Sequence, residues 1–68
     1  METKIFIGGR LRKLRNSHGL TQTELSQKIN ISTSYLNLIE SNERPLSLNV
    51  LMKLHDKFEI DIKEFTRD

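Results

Sequence analysis

The sequence contains no cysteine and no tryptophan, a single proline and three glycines. The absence of cysteine excludes disulfide bridges and thiolate metal sites, and it is typical of a reducing compartment. No apolar run approaches the roughly 20 residues that a membrane-spanning helix needs. The N-terminal apolar stretch is too short for a secretory signal. We therefore expect a cytoplasmic protein with no membrane partner.

With 68 residues the chain is predicted to form one small domain over residues 1–68. The net charge is only +2, but it is unevenly distributed. Residues 1–30 carry six Lys and Arg against two acids, whereas residues 31–68 carry five against seven. The basic half includes a cluster within six residues, namely Arg10, Arg12, Lys13 and Arg15. Such a cluster is suited to a polyanion, although it is equally consistent with a solvated helix face.

Apolar spacing and capping residues predict five helices and no strand. The expected bounds are 6–18 for helix 1, 21–30 for helix 2, 32–41 for helix 3, a start at Ser47 for helix 4 and a start at Asp61 for a short helix 5. Because Gly8 and Gly9 weaken its first turn, helix 1 could in effect start near Gly9. In helix 4, Leu48, Leu51, Leu54 and Phe58 recur at spacings of three and four, which predicts one buried face.

The predicted helix ends carry specific local signals. Thr21 with Glu24 three residues later is typical of a capping box, and Ser32 and Ser47 are further candidate N-caps. The residues predicted to end helices 1 to 3 in the left-handed conformation are Gly19, Asn30 and Asn42.

The segments TQTELSQK, INIS, YLNLIE and RPLSLNVLMKL closely resemble the phage-repressor-like helix–turn–helix family called Xre or Cro/C1. The resemblance covers roughly residues 9–65. It implies an all-α, lambda-repressor-like fold of five helices, in which helices 2 and 3 form the helix–turn–helix. One subgroup stands at the N-terminus of fatty-acid-metabolism regulators, so this chain is either a small stand-alone regulator or an excised domain. It departs from the family by having Asn30 and Asn42 where glycine is usual, and Leu38 where a polar reader is common.

The family implies that helix 3 enters the major groove of DNA. Thr33 and Ser34 are small, and each can donate and accept a hydrogen bond. Asn37 can bond adenine at two positions, and Leu38 can touch a thymine methyl group. These four are the candidate base-reading residues. The alternative is that the polar ones are merely exposed and that Leu38 packs against the core or a partner.

Gln22 is the first candidate for a phosphate contact, because it lies at the start of helix 2. The further candidates are Thr21, Ser32, Tyr35, Asn42, Arg44 and Arg12. Several of these have a simpler role: Thr21 and Ser32 as caps, Tyr35 in packing, and Arg44 in an ion pair with Glu43 or Glu40. The family also implies a partly buried structural ion pair between Arg15 and Glu40.

Other chemistry is disfavoured. His18 and His55 have no second ligand at zinc spacing, and no phosphate-binding loop or catalytic carboxylate pair is evident, so we expect neither enzyme activity, metal nor cofactor. The expected function is sequence-specific binding of duplex DNA in transcription regulation, as a homodimer. Candidate dimer contacts are Ile60, Ile62 and Phe65, for which the alternative is simple closure of the core. The alternatives are an antitoxin-like or adaptor module that binds protein, and a non-specific nucleoid binder.

Overall fold

Four helices follow one another along residues 6–60, the part of the chain that this computed structural model describes. They are α1 (Gly8–Ser17), α2 (Gln22–Lys28), α3 (Thr33–Glu40) and α4 (Leu48–Phe58). No strand occurs within that range, so the all-α prediction is confirmed there. The predicted fifth helix, with Asp61 as its cap, lies outside the described residues.

Three of these helices begin at the predicted hydroxyl caps. Thr21 Oγ1 accepts from the Glu24 amide at 3.1 Å, and Glu24 Oε1 accepts from the Thr21 amide at 2.9 Å, which completes a capping box. Ser32 and Ser47 each accept from the amide three residues later, at 3.0 and 3.2 Å. The bond from the Thr21 backbone, followed by that from its side chain, lowers the pKa of the exposed Glu24.

The ends of α1, α2 and α3 follow the predicted left-handed residues. Gly19, Asn30 and Asn42 have φ values of 67°, 56° and 62°. In each case the next amide donates to a carbonyl five residues earlier, at 2.9 to 3.1 Å, which is the Schellman arrangement. Asparagine therefore takes the place of glycine in both turns that flank α3. Glu59 adopts the same left-handed conformation after α4, at φ 52°. The sequence did not predict it, because glutamate is not a residue type that favours this conformation.

A single apolar core joins all four helices. The segment before α1 and the segment after α4 also contribute to it. The buried apolar residues are Ile7, Leu11, Leu25, Ile29, Leu36, Ile39, Leu46, Val50, Leu51, Leu54 and Ile60. α3 packs against both α2 and α1, so the helix–turn–helix is supported by the first helix.

The predicted core face of α4 is wrong at its first residue. Leu48 is 73% exposed, and Val50 is buried beside Leu51 and Leu54. At about 100° per residue, Leu48 lies roughly 110° from the centre of that buried face. Met52, one turn after Leu48, is 49% exposed on the same outer side.

α1 begins at Gly8, between the two predicted starts, and this residue contacts the end of α3. Ile7 is not helical, and Gly8 is buried. The Gly8 amide donates to Asn42 Oδ1 at 2.8 Å. A Cβ atom on Gly8 would collide with the carbonyl oxygen of Glu40 and would lie 2.7 Å from Asn42 Oδ1. The glycine therefore permits a close approach between the start of α1 and the end of α3.

Candidate nucleic-acid interface

One side of α3 is buried and the other is open. Leu36, Ile39 and Glu40 face the interior, whereas Ser34 and Asn37 are exposed. This division follows from the sequence, because the apolar residues recur at a spacing of three while short polar residues occupy the other side.

The four candidate base-reading residues lie together. With one residue from the start of α2 they line an open, shallow concavity of about 410 Å³, formed by Gln22, Thr33, Ser34, Asn37 and Leu38. Among these, Thr33 and Leu38 are half-buried. The concavity combines hydroxyl, amide and apolar groups, which are the kinds of group that contact base edges in the major groove.

Thr33 also joins the two helices of the helix–turn–helix. The Ser26 hydroxyl donates to the Thr23 carbonyl at 2.8 Å and lies 2.9 Å from Thr33 Oγ1. A hydroxyl has only one proton, so in this arrangement Thr33 donates to Ser26. Thr33 Oγ1 can then serve only as an acceptor toward the concavity. Sequence reasoning missed Ser26, although a small polar residue next to the apolar positions Leu25 and Ile29 is a usable signal.

Gln22 connects the concavity to the interior. Its Nε2 donates to Glu40 Oε1 at 3.2 Å, and its Oε1 accepts from Asn37 Nδ2 at 3.3 Å. The amide side chain of Gln22 is thus held at both ends. The sequence predicted a contact from Gln22 to phosphate but not these two contacts, because the three residues are far apart in the chain.

The Arg15–Glu40 pair ties α1 to the end of α3. Arg15 donates through Nε to Glu40 Oε2 at 2.8 Å and through Nη2 to Oε1 at 3.1 Å. The Glu40 side chain is fully buried, and the Arg15 side chain is 14% exposed. Arg15 also donates to the Leu20 carbonyl at 2.9 Å. Two parallel bonds to a buried carboxylate fix the relative position of the two helices.

The remaining candidate phosphate residues are distributed around α3. Thr21 and Ser32 act as helix caps, and Tyr35 is half-buried against the core. Each cap hydroxyl still has a proton that it can donate, because the cap bond uses only its oxygen.

Two candidates for phosphate contact have partners inside the domain. Asn42 accepts from Gly8. Arg12 donates to the Glu40 carbonyl at 3.3 Å, with its Nε 3.7 Å from Glu40 Oε1. Arg44 is exposed, and Glu43, one of its predicted partners, accepts instead from the Ser41 hydroxyl at 2.9 Å.

One of the three candidate dimer contacts, Ile60, lies within the described residues. Ile60 is buried in the core, and its carbonyl oxygen lies 2.6 Å from His55 Nδ1. Its side chain therefore packs in the core, which is the core-closure alternative for this residue. Ile62 and Phe65 lie outside the described residues.

The histidines have local contacts. The rings of His18 and Phe58 lie 4.8 Å apart between centroids, at 56° to each other.

Within residues 6–60 no cluster of three or more potential ligands could hold a metal ion. Over the same range, every helix is too short or too polar to cross a bilayer.

Comparison with known proteins agrees with this geometry. The profile of a family described as helix–turn–helix matches residues 11–65. The HTH-type transcriptional regulator PrpR of Mycobacterium tuberculosis is 39% identical over 66 residues, which cover 97% of this chain and 14% of PrpR. The HTH-type transcriptional regulator RamB of the same species is 43% identical over 63 residues, which cover 93% of this chain and 13% of RamB. The chain thus spans only about a seventh of the length of these regulators.

A solved structure extends the similarity to the fold. The restriction-modification controller protein C.AhdI from Aeromonas hydrophila superposes with a TM-score of 0.79 at 33% identity, covering 90% of this chain and 92% of that protein. The family match covers residues 11–65, which is most of the sequence. The chain belongs to the Xre and Cro/C1-type helix–turn–helix family.

Proposed function

We propose that this domain binds duplex DNA sequence-specifically, with α3 in the major groove, and that it regulates transcription. The observation that carries the proposal is the concavity formed by α3 and the start of α2, which is lined by four polar side chains and by Leu38. The regulators PrpR and RamB and the controller C.AhdI support the same function by similarity.

Each base-reading candidate has a distinct chemical role in this proposal. Ser34, which is exposed, can donate or accept at a base edge. Thr33 accepts from an exocyclic amine, because its own proton is used by Ser26. Asn37 bonds adenine through both ends of its amide, and Leu38 contacts a thymine methyl group.

Phosphate contacts surround this reading surface. The second proton of Gln22 Nε2, the hydroxyl protons of Thr21 and Ser32, and the exposed side chain of Arg44 are proposed donors to the DNA backbone. Tyr35, Asn42 and Arg12 are proposed to contribute at the edge of the footprint. Such contacts position the protein without specifying sequence, and they make affinity fall steeply with salt.

We propose that the domain acts as a homodimer on a two-fold operator with half-sites one helical turn apart, roughly 34–36 Å. A single small domain buries little surface for tight specific binding. The exposed Leu48 and Met52 on α4 offer an apolar surface for a second copy. Ile62 and Phe65 remain further candidates for that contact.

The deciding experiment measures fluorescence anisotropy on duplexes taken from the DNA that flanks the protein's own coding region, with scrambled duplexes of equal composition as the comparison. We expect tight binding to one flanking duplex, weakened about tenfold by Asn37→Ala through loss of a base contact. Asn49→Ala is the matched control, because Asn49 is exposed on α4, outside the concavity. That variant should bind as wild type does.

Two results would contradict the proposal. Equal affinity for every duplex would indicate a non-specific nucleoid binder. No binding at low salt, with no effect of Asn37→Ala, would favour the protein-interaction module, in which Tyr35 and Leu38 would be the first apolar contacts to test.

A further inference from the structure

A line of four polar side chains runs from the interior to the concavity. Glu40, fully buried, accepts from Arg15 on both carboxylate oxygens and from Gln22 on Oε1. Gln22 in turn accepts from the exposed Asn37. The line therefore joins a fixed internal charge to a candidate base-reading residue through a single amide.

The carboxylate of Glu40, at the buried end of the line, determines how the side-chain amides of Gln22 and Asn37 are oriented. An ionised carboxylate can accept hydrogen bonds but cannot donate them. Gln22 must therefore turn its NH₂ group toward Glu40, which leaves Oε1 at its other end. Oε1 can only accept, so Asn37 must turn its own NH₂ group toward Gln22. No other choice of amide orientation satisfies both contacts.

We infer that Glu40 is a positioning residue that sets which hydrogen-bonding groups Asn37 presents to a base. This rests on the proposed function, because it assigns the specificity of the same surface. With one Asn37 proton held by Gln22, one N–H and the Oδ1 acceptor remain. That pair matches adenine, whose major-groove edge offers one acceptor and one donor, whereas guanine offers two acceptors.

If the buried carboxylate is replaced by an amide, we expect the side-chain amides of Gln22 and Asn37 to reverse their orientation. In Glu40→Gln the shorter Arg15 bond, from Nε, holds the new amide oxygen at the Oε2 position. The new NH₂ group then takes the Oε1 position, where it faces Gln22 and displaces the bond from Arg15 Nη2. Gln22 then presents Oε1 inward and Nε2 outward, so Asn37 turns Oδ1 toward Gln22. Both Asn37 protons now face the groove, a pattern suited to the two acceptors of guanine.

The test is selection from a library of randomised duplexes with the whole chain. The position read by Asn37 is the one at which Asn37→Ala abolishes the wild-type preference. We expect wild type to favour adenine over guanine there by roughly tenfold. Glu40→Gln should reverse or remove that preference at this position only. Ile39→Val is the matched control, since it alters the core beside Glu40 without changing a polar group, and it should keep the wild-type preference.

A second variant decides the outcome if Glu40→Gln does not fold. Gln22→Met removes the middle of the line and leaves the Arg15–Glu40 pair intact, so the adenine preference should shrink while preferences elsewhere persist. An unchanged preference in either folded variant would overturn the inference. Failure of wild type to select any sequence would instead contradict the proposed function.

A DNA-free measurement tests the geometry separately. The side-chain ¹⁵N resonances of Gln22 and Asn37 should both move in Glu40→Gln and stay in place in Ile39→Val. If the Asn37 resonance does not move in folded Glu40→Gln, the line does not orient it.

Discussion

The two ends of α3 differ sharply in how they are held. The N-terminal part presents Ser34 and Asn37 to solvent, and the one side-chain contact of Asn37 inside the domain is a 3.3 Å hydrogen bond to Gln22. The C-terminal end contains the buried Glu40, bonded to Arg15 and followed by Asn42, which accepts from Gly8. Rigidity at one end allows the other to present side chains in a fixed geometry.

The largest effect is expected from Arg15→Met. Removing the arginine leaves the fully buried carboxylate of Glu40 without its bidentate partner. The free energy of unfolding should fall by about 3–5 kcal/mol. Urea denaturation measures it, and Arg15→Met combined with Glu40→Leu should recover part of the loss. A double variant no more stable than the single one would contradict this explanation.

Gly8→Ala should cost about 1–3 kcal/mol, because its Cβ would collide with the carbonyl of Glu40. Gly9→Ala is the matched control, since nothing lies within 4 Å of a Cβ at that position. It should stabilise the domain by about 0.5 kcal/mol through helix propensity. Equal effects at both positions in thermal unfolding would mean that the close approach is unimportant.

The two asparagines beside α3 should differ in a smaller way. Glycine can replace either asparagine without backbone strain, because both have left-handed φ values. Only Asn42 accepts a hydrogen bond from the Gly8 amide. We expect Asn42→Gly to cost about 1 kcal/mol through loss of that cap. Asn30→Gly should lie within about 0.5 kcal/mol of wild type. Chemical denaturation of the two variants checks the difference, and equal stabilities would exclude a capping role for Asn42.

The smallest effect concerns pH at the start of α2. The pKa of Glu24 is lowered in the folded protein, chiefly by the Thr21 backbone amide. Its stabilising contribution is therefore present above the ordinary pKa of glutamate and is lost as the pH falls through the lower folded value. Stability measured across that acidic range should fall less steeply in Glu24→Gln. Identical slopes would remove Glu24 as a source of the pH dependence.

The same contrast explains what the sequence could predict. The caps at Thr21, Ser32 and Ser47 and the left-handed Asn30 and Asn42 depend on neighbours within a few residues, so local patterns were sufficient. The outward position of the polar residues of α3 followed from helical spacing in the same way.

The features that the sequence did not predict depend on packing or on contacts between residues far apart in the chain. Leu48 has core-like spacing from Leu51, but the buried face of α4 consists of Val50, Leu51 and Leu54, and Leu48 lies to one side of it. The contact of Gly8 with Asn42 joins positions 34 apart in the chain, and that of Gln22 with Glu40 joins positions 18 apart. No local pattern encodes such contacts. The family resemblance pointed to Arg15 and Glu40, whereas nothing in it pointed to the line that reaches Asn37.

The most direct test of the central claim is an NMR titration of the chain with a specifically bound duplex. If α3 enters the groove, the largest backbone amide shifts will lie within residues 33–38 and at Gln22, and the outer side of α4 will change less. Shifts concentrated around Leu48 and Met52, with residues 33–38 unchanged, would contradict the account.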